Sequence, residues 1–138
     1  MKTTLDRFLY AQQQMYADAL AEISSGKKRS HWMWFIFPQL LGLGQSDMAM
    51  KYGIQSAEEA QMYLAHPILG KRLIAISKAV LDSTTTNATQ LLGSPDDLKL
   101  RSCMTLFSEL ENTNSIFQSV LDKFFSGQKD PKTLSLLS

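Results

Sequence analysis

One cysteine, two histidines and a formal net charge of +1 are the first scarcities in this 138-residue chain, and each removes a class of function. The lone thiol, Cys103, allows no intramolecular disulfide and no cysteine-built zinc site, and it fits a reducing, cytoplasmic setting. Fourteen basic against thirteen acidic residues give none of the excess that general nucleic-acid or anionic-membrane binders carry. The longest apolar run, Trp32 to Phe37, falls far short of the roughly 20 residues a membrane-spanning helix needs. Charges at Asp6 and Arg7, then polar residues from Gln12, interrupt any signal-peptide core. The phosphate-cradling glycine loop, the dinucleotide fingerprint, the His-Glu-x-x-His metal helix and the esterase-type serine motif are all missing. Gly42-Leu43-Gly44-Gln45-Ser46 is a glycine-rich turn with no strand before it. His31 and His66 lie far apart in the chain, so neither a metal site nor a cofactor is expected.

What is present is a helical pattern. Hydrophobic residues make up 44% of the chain and charged residues 20%, an ordinary balance for one globular domain able to bury its own core. Leu5, Phe8, Leu9, Gln12, Met15, Tyr16, Ala19, Leu20 and Ile23 recur at the three- and four-residue spacing of an amphipathic helix, which Gly26 ends. Ser46 predicts a short capped helix through Tyr52. Ser56-Ala57-Glu58-Glu59 is a capping box opening a helix to about Ala65. His66-Pro67 breaks it, because a residue before proline avoids helical geometry. Further helices are expected over 68–81, from Ser94-Pro95-Asp96-Asp97 through Leu110, from Asn114 or Ser115 to Gly127, and from Asp130-Pro131 to Leu137. Residues 82–89 read as a polar linker. The expectation is an all-α, single-domain bundle of about six to eight short-to-medium helices spanning 1–138, with 128–138 a loosely attached tail.

The unusual feature is His31-Trp32-Met33-Trp34-Phe35-Ile36-Phe37-Pro38-Gln39, which contains both tryptophans of the chain. It is apolar on every face from Trp32 to Phe37, so periodicity cannot choose between a helical turn and an extended piece. Large aromatics bury much area, and a core plug explains most of the block. His31 carries an imidazole and Gln39 a two-way amide; beside stacking rings, both suit the wall of a small-molecule pocket. Cys103, among Leu100, Met104 and Phe107, reads as an inert buried thiol. Asp96 and Asp97 read first as residues of a helical first turn, and Lys27-Lys28-Arg29 as a solvated helix end.

At these residues the chain resembles the bacterial family of domain of unknown function 1810. The likeness rests on Leu5-x-Arg7-Phe8, Ala11-Gln12-x-x-x-Tyr16, Ala19-Leu20-x-Glu22, Gly26-Lys27-Lys28, the block Ser30 to Gln39, and Gly42-Leu43-Gly44-x-Ser46. It continues through Glu59-Ala60, Tyr63-Leu64-x-His66-Pro67-x-Leu69-Gly70-x-Arg72-Leu73 and Pro95-Asp96-x-x-Lys99-Leu100-x-Ser102-x-Met104-Thr105-Leu106-Phe107. The resemblance implies a compact all-α fold and no particular activity. The calpastatin label sometimes attached to the family has no support in these residues.

Two functions compete. In the first, the domain binds or hydrolyses a nucleotide-like or ADP-ribose-like small molecule. Trp32 or Trp34 stacks on its base, and Arg72, Lys99 or Lys27-Lys28 meets phosphate. Gln12, Tyr16, Gln39, Tyr63 and His66 complete the pocket, while His31 and Glu22, or Asp96, do acid–base work. In the second, the block is core and an exposed apolar patch binds a protein or a second copy, without catalysis. The directions of His31, Tyr16, Glu22, His66 and Arg72 discriminate: convergence on one cleft marks a site, and separate local caps mark a structural motif.

Overall fold

Helix α1 (Asp6–Ser24) follows the predicted stripe and buries Phe8, Gln12, Ala19 and Ile23. It ends where expected: Gly26 takes φ +94°, its N–H donates to Ile23 O at 3.0 Å, and Lys27 N–H donates to Glu22 O at 3.1 Å. That pair of bonds satisfies carbonyls a helix end would otherwise leave open, at a φ that favours glycine. The computed structural model describes residues 5–138, and among them the chain forms nine helices and no strand. The fold is all-α, as predicted.

Two of the nine helices were not legible in the sequence. Helix α2 (Met33–Ile36) lies inside the aromatic block, where uniform apolarity hides the period. It is followed by α3 (Asp47–Tyr52), α4 (Ala57–Ala65) and α5 (Leu69–Leu81). Helix α6 (Ala88–Leu92) begins inside the predicted polar linker; Asn87 caps it by accepting from Gln90 N–H at 3.1 Å. Helices α7 (Asp96–Ser108), α8 (Ile116–Phe125) and α9 (Pro131–Leu137) complete the chain.

Most predicted caps are in place. Ser46 Oγ accepts from Ala49 N–H and Ser56 Oγ from Glu59 N–H, both at 3.1 Å. The return half of the capping box is shifted by one residue, because Glu59 Oε1 accepts from Gln55 N–H at 3.0 Å and also faces Arg7 Nη2 at 3.0 Å. Arg7 further donates to Lys51 O at 2.8 Å and Gly53 O at 2.9 Å, which fastens α1 to α3 and α4. At α7 it is Pro95, not Ser94, that occupies the capping position.

Helix α7 is the axis of the core, with Leu100, Cys103, Met104, Leu106 and Phe107 fully enclosed. It packs on α4, α6, α8 and α9, while α5 packs on α1, α4 and α8. A chain of ring contacts crosses the interior from Phe35 and Tyr52 through Phe8, Tyr63 and Phe107 to Phe117, with centroids 5.1–5.9 Å apart. Such spacings add to the area the rings bury. The segment 128–138, predicted to sit loosely, is instead fastened to α7. Arg101 donates to Gln128 O at 2.9 Å and Lys129 O at 2.8 Å, Asp130 N–H donates to Thr105 Oγ1 at 2.9 Å, and Thr133 is fully buried. Among the described residues no helix is long and apolar enough to cross a membrane.

Candidate functional site

The candidate residues separate into four groups, and only one of them opens on a cleft. The first is the loop after α1. Trp32 is fully buried against Phe37, and its indole N–H donates to Glu22 Oε1 at 2.9 Å. The same carboxylate accepts from Arg29 N–H at 2.7 Å, Ser30 N–H at 2.9 Å and Ser30 Oγ at 2.6 Å. Burial opposes the Glu22 charge, but the hydrogen bonds outweigh it and hold the pKa down to about 2. Glu22 is therefore a fixed anion that stitches the loop to α1, and its lone pairs are occupied. His31 is exposed on this loop, with no hydrogen-bond partner among the described residues.

The second group lies between α1, α4 and α5. Gln12 is buried and its Nε2 donates to Phe35 O at 2.7 Å and to Tyr63 OH at 2.8 Å. Tyr16 OH donates to Arg72 O at 3.1 Å, and the Arg72 guanidinium stands 5.3 Å from the centre of the Tyr16 ring. Burial pushes both phenols above their ordinary range, with Arg72 pulling Tyr16 partly back. These side chains lock helices together in neutral form. Tyr63→Phe should lower stability by about 1–2 kcal/mol, because one Gln12 N–H loses its buried acceptor. Chemical denaturation checks this, and an unchanged midpoint would remove the Gln12–Tyr63 bond from the account.

The third is His66, whose Nδ1 accepts from Ile68 N–H at 3.1 Å and Leu69 N–H at 3.2 Å. It caps α5 at the predicted break. Tyr16 and Arg72 thus pair with each other, and Glu22, His31 and His66 stand elsewhere. The five side chains do not converge on one cleft.

The fourth group does form a site. Met33, Phe35 and Ile36 of α2 turn into the core, which leaves Trp34 half-buried on the outer side of the helix. Trp34, Gln39 and Lys99 meet in a surface cleft of about 400 Å³ together with Gln45, Ser102 and Lys132. Gln39 is placed by its backbone, since its carbonyl accepts from Ile54 N–H and Leu41 N–H donates to Ile54 O, both at 2.9 Å. Lys99 projects from α7 so that Nζ lies 4.7 Å from the centre of the Trp34 ring and 3.4 Å from Asp96 Oδ1. Leu98 and Pro95 add apolar wall. The Trp34 indole N–H, the side-chain amides of Gln39 and Gln45 and the Lys132 ammonium have no hydrogen-bond partner among the described residues. A flat aromatic face, several free polar groups and two ammonium groups suit a planar, anionic small molecule.

Sequence reasoning missed Ser102, Lys132 and Asp130 as parts of this cleft. Asp130 was legible as the cap of α9, and its carboxylate does accept from Thr133 N–H at 3.2 Å. It also accepts from Ser102 Oγ at 3.0 Å, 28 residues away, which nothing local signals. Burial raises the Asp130 pKa, and the bonds from Thr133 and Ser102 more than reverse this, leaving it lowered. Among the described residues no cluster of three or more His, Cys, Asp and Glu is arranged to hold a metal ion. Cys103 is buried and its thiol is pushed well up, the inert character predicted for it.

Fold and site together define a small all-α domain with an aromatic-walled surface cleft. The chain belongs to the family described as protein of unknown function DUF1810, whose model matches residues 2–137. It is also similar to a solved structure, the conserved hypothetical protein Rv1873 from Mycobacterium tuberculosis. The two share 47% identity over 96% of this chain and 95% of that one, with a TM-score of 0.94. No curated protein matches.

Proposed function

We propose that this protein binds a nucleotide-like or ADP-ribose-like ligand in the cleft beside Trp34, in the bacterial cytoplasm. The observation that supports this reading most is the contrast between the two tryptophans. Trp32 is sealed in the core with its N–H satisfied, whereas Trp34 offers its ring and a free N–H to a cleft that also holds Gln39, Lys99 and Lys132. The base would lie along Trp34 and Leu98, the Gln39 amide would meet its polar edge, and the two ammonium groups would face phosphate. Binding is favoured over hydrolysis, because the carboxylate in the cleft wall, Asp130, is held ionised and already bonded to Ser102 and Thr133. The buried thiol agrees with a reducing compartment. The competing reading, an interaction module without catalysis, would need a joined apolar face. Of the large exposed apolar side chains, Tyr10, Met50, Met62 and Ile68 stand on or beside different helices, Leu98 lines the Trp34 cleft itself, and Leu41 and Leu136 meet in one small groove.

The test is a thermal-shift and fluorescence panel of nucleosides, their mono- and diphosphates and ADP-ribose. A ligand at about one hundred times its Kd adds roughly 2.7 kcal/mol of stability, which raises Tm by several degrees. The same ligand should quench emission from Trp34, and Trp34→Phe should abolish the quench while leaving the emission of Trp32. His31→Ala should bind normally. Absence of both stabilisation and quenching at millimolar concentration across the panel would defeat the reading.

A further inference from the structure

The ion triad behind the cleft says more about the ligand than the cleft does. Lys28, on the loop after α1, pairs with Asp96 Oδ2 at 2.9 Å, and its side chain is only 8% exposed. The other oxygen of Asp96 faces Lys99 Nζ at 3.4 Å, with these two side chains 18% and 22% exposed. Each ammonium also stands over a tryptophan, Lys28 at 5.1 Å from the Trp32 ring centre and Lys99 at 4.7 Å from that of Trp34. The two cations are not equivalent. Lys28 is enclosed and has one carboxylate to neutralise it, so it holds Asp96 in place. Lys99 has the longer contact with that carboxylate and lines the cleft, so it is the ammonium able to leave.

We propose that Asp96 is a built-in stand-in for the anionic group of the ligand, and that Lys99 exchanges it for phosphate on binding. The inference rests on the Trp34 cleft being the ligand site. In the free protein, Lys99 lies between the carboxylate and the Trp34 face, the position a stacked ring would need. A phosphate draws Lys99 off the ring, which frees the stacking surface, while Lys28 keeps Asp96 from becoming an uncompensated buried charge. An uncharged nucleoside has nothing to offer Lys99 and must compete with a cation already seated on the indole. Charge on the ligand is therefore a condition for stacking, and the cleft discriminates a nucleotide from its nucleoside. Lys132, which also lines the cleft and has no ion pair among the described residues, adds a second attraction of the same sign.

The experiment measures Kd by Trp34 quenching for the best nucleoside monophosphate and its nucleoside, in wild type, Asp96→Asn, Lys99→Gln and the double variant. Removing one unit of negative charge several ångströms from the phosphate should tighten monophosphate binding about tenfold at low salt. The gain should shrink in 0.5 M salt, as screening demands. It should be much smaller in the Lys99→Gln background, where only the through-space relief of losing the Asp96 charge remains. The nucleoside should respond far less to Asp96→Asn. Lys99→Gln leaves the Lys28–Asp96 pair intact, so it serves if Asp96→Asn fails to fold, and it should cut the preference for monophosphate over nucleoside to the part that Lys132 alone supplies. If the monophosphate binds and quenches through Trp34, but Asp96→Asn binds it no more tightly or Lys99→Gln keeps the preference undiminished, the stand-in role is wrong and the binding site survives. If neither compound reports on Trp34 in any variant, the site and the inference fall together.

Discussion

Gly70→Ala should be the most damaging conservative substitution in this chain, costing about 3 kcal/mol or more and lowering Tm by about ten degrees. Gly70 lies in the first turn of α5 and is buried against the end of α4. A Cβ there would sit 2.0 Å from Leu64 O and 2.9 Å from Leu64 C. Both are backbone atoms, so no side chain can swing aside, and the α4–α5 corner would have to open by about an ångström. The corner is otherwise tight: Gly70 N–H donates to His66 O at 2.9 Å, and His66 caps the same turn. Gly26→Ala is the informative control, because a Cβ there meets nothing and only the φ of +94° is costly, by roughly 1 kcal/mol. Differential scanning calorimetry of the two variants checks the ranking. If Gly70→Ala melts with or above Gly26→Ala, the close approach of α5 to Leu64 is not what the geometry describes.

Glu22→Ala should rank next, destabilising the protein by about 2–4 kcal/mol. The substitution strips the acceptor from Trp32 Nε1, from two backbone N–H groups and from the Ser30 hydroxyl together. It should also change the response to acid. The folded pKa of Glu22 is depressed to about 2 from an ordinary 4.5. Its contribution is therefore fully present above about pH 4.5 and is lost as pH falls from there toward 2. After a discount for solvent screening, the carboxylate charge itself is worth roughly 1–2 kcal/mol of that total. Urea midpoints of wild type and Glu22→Gln should differ most near neutral pH and approach each other below pH 4. Parallel pH curves would show that the charge of Glu22 contributes nothing to the loop, whatever its hydrogen bonds do.

These predictions also mark where reading the chain succeeds. Gly26, Ser46, Ser56, His66-Pro67 and Asp130-Pro131 are local devices: each acts on backbone groups within about one turn, so residue type and spacing reveal it. Trp32 and Trp34 are the opposite case. They sit two residues apart in a block with no amphipathic period, and nothing nearby says which is core and which is wall. Glu22 and His31 look like acid–base partners in sequence, but the loop after α1 folds back so that Glu22 binds Ser30 and Trp32, eight and ten residues on, instead. Tyr16, Tyr63, Gln12 and Arg72 look like pocket polar groups. Helix packing spends them between α1, α4 and α5, where buried polar atoms need partners.

The scarce cysteine, the small net charge and the helical spacing by themselves determined an all-α fold with no disulfide frame, no cysteine-built metal site and no apolar segment of membrane-spanning length. Those conclusions follow from composition and from forces acting over a few residues. Only the tertiary structure decided that Trp34 rather than Trp32 faces a cleft, that Lys99 reaches it, and that Ser102 and Lys132 join it. The cleft draws on the block and loop around Trp34 to Ser46, the first half of α7 and the start of α9. Those segments meet because their apolar neighbours bury one another across the core, and that long-range packing leaves no periodic trace in any one stretch of chain.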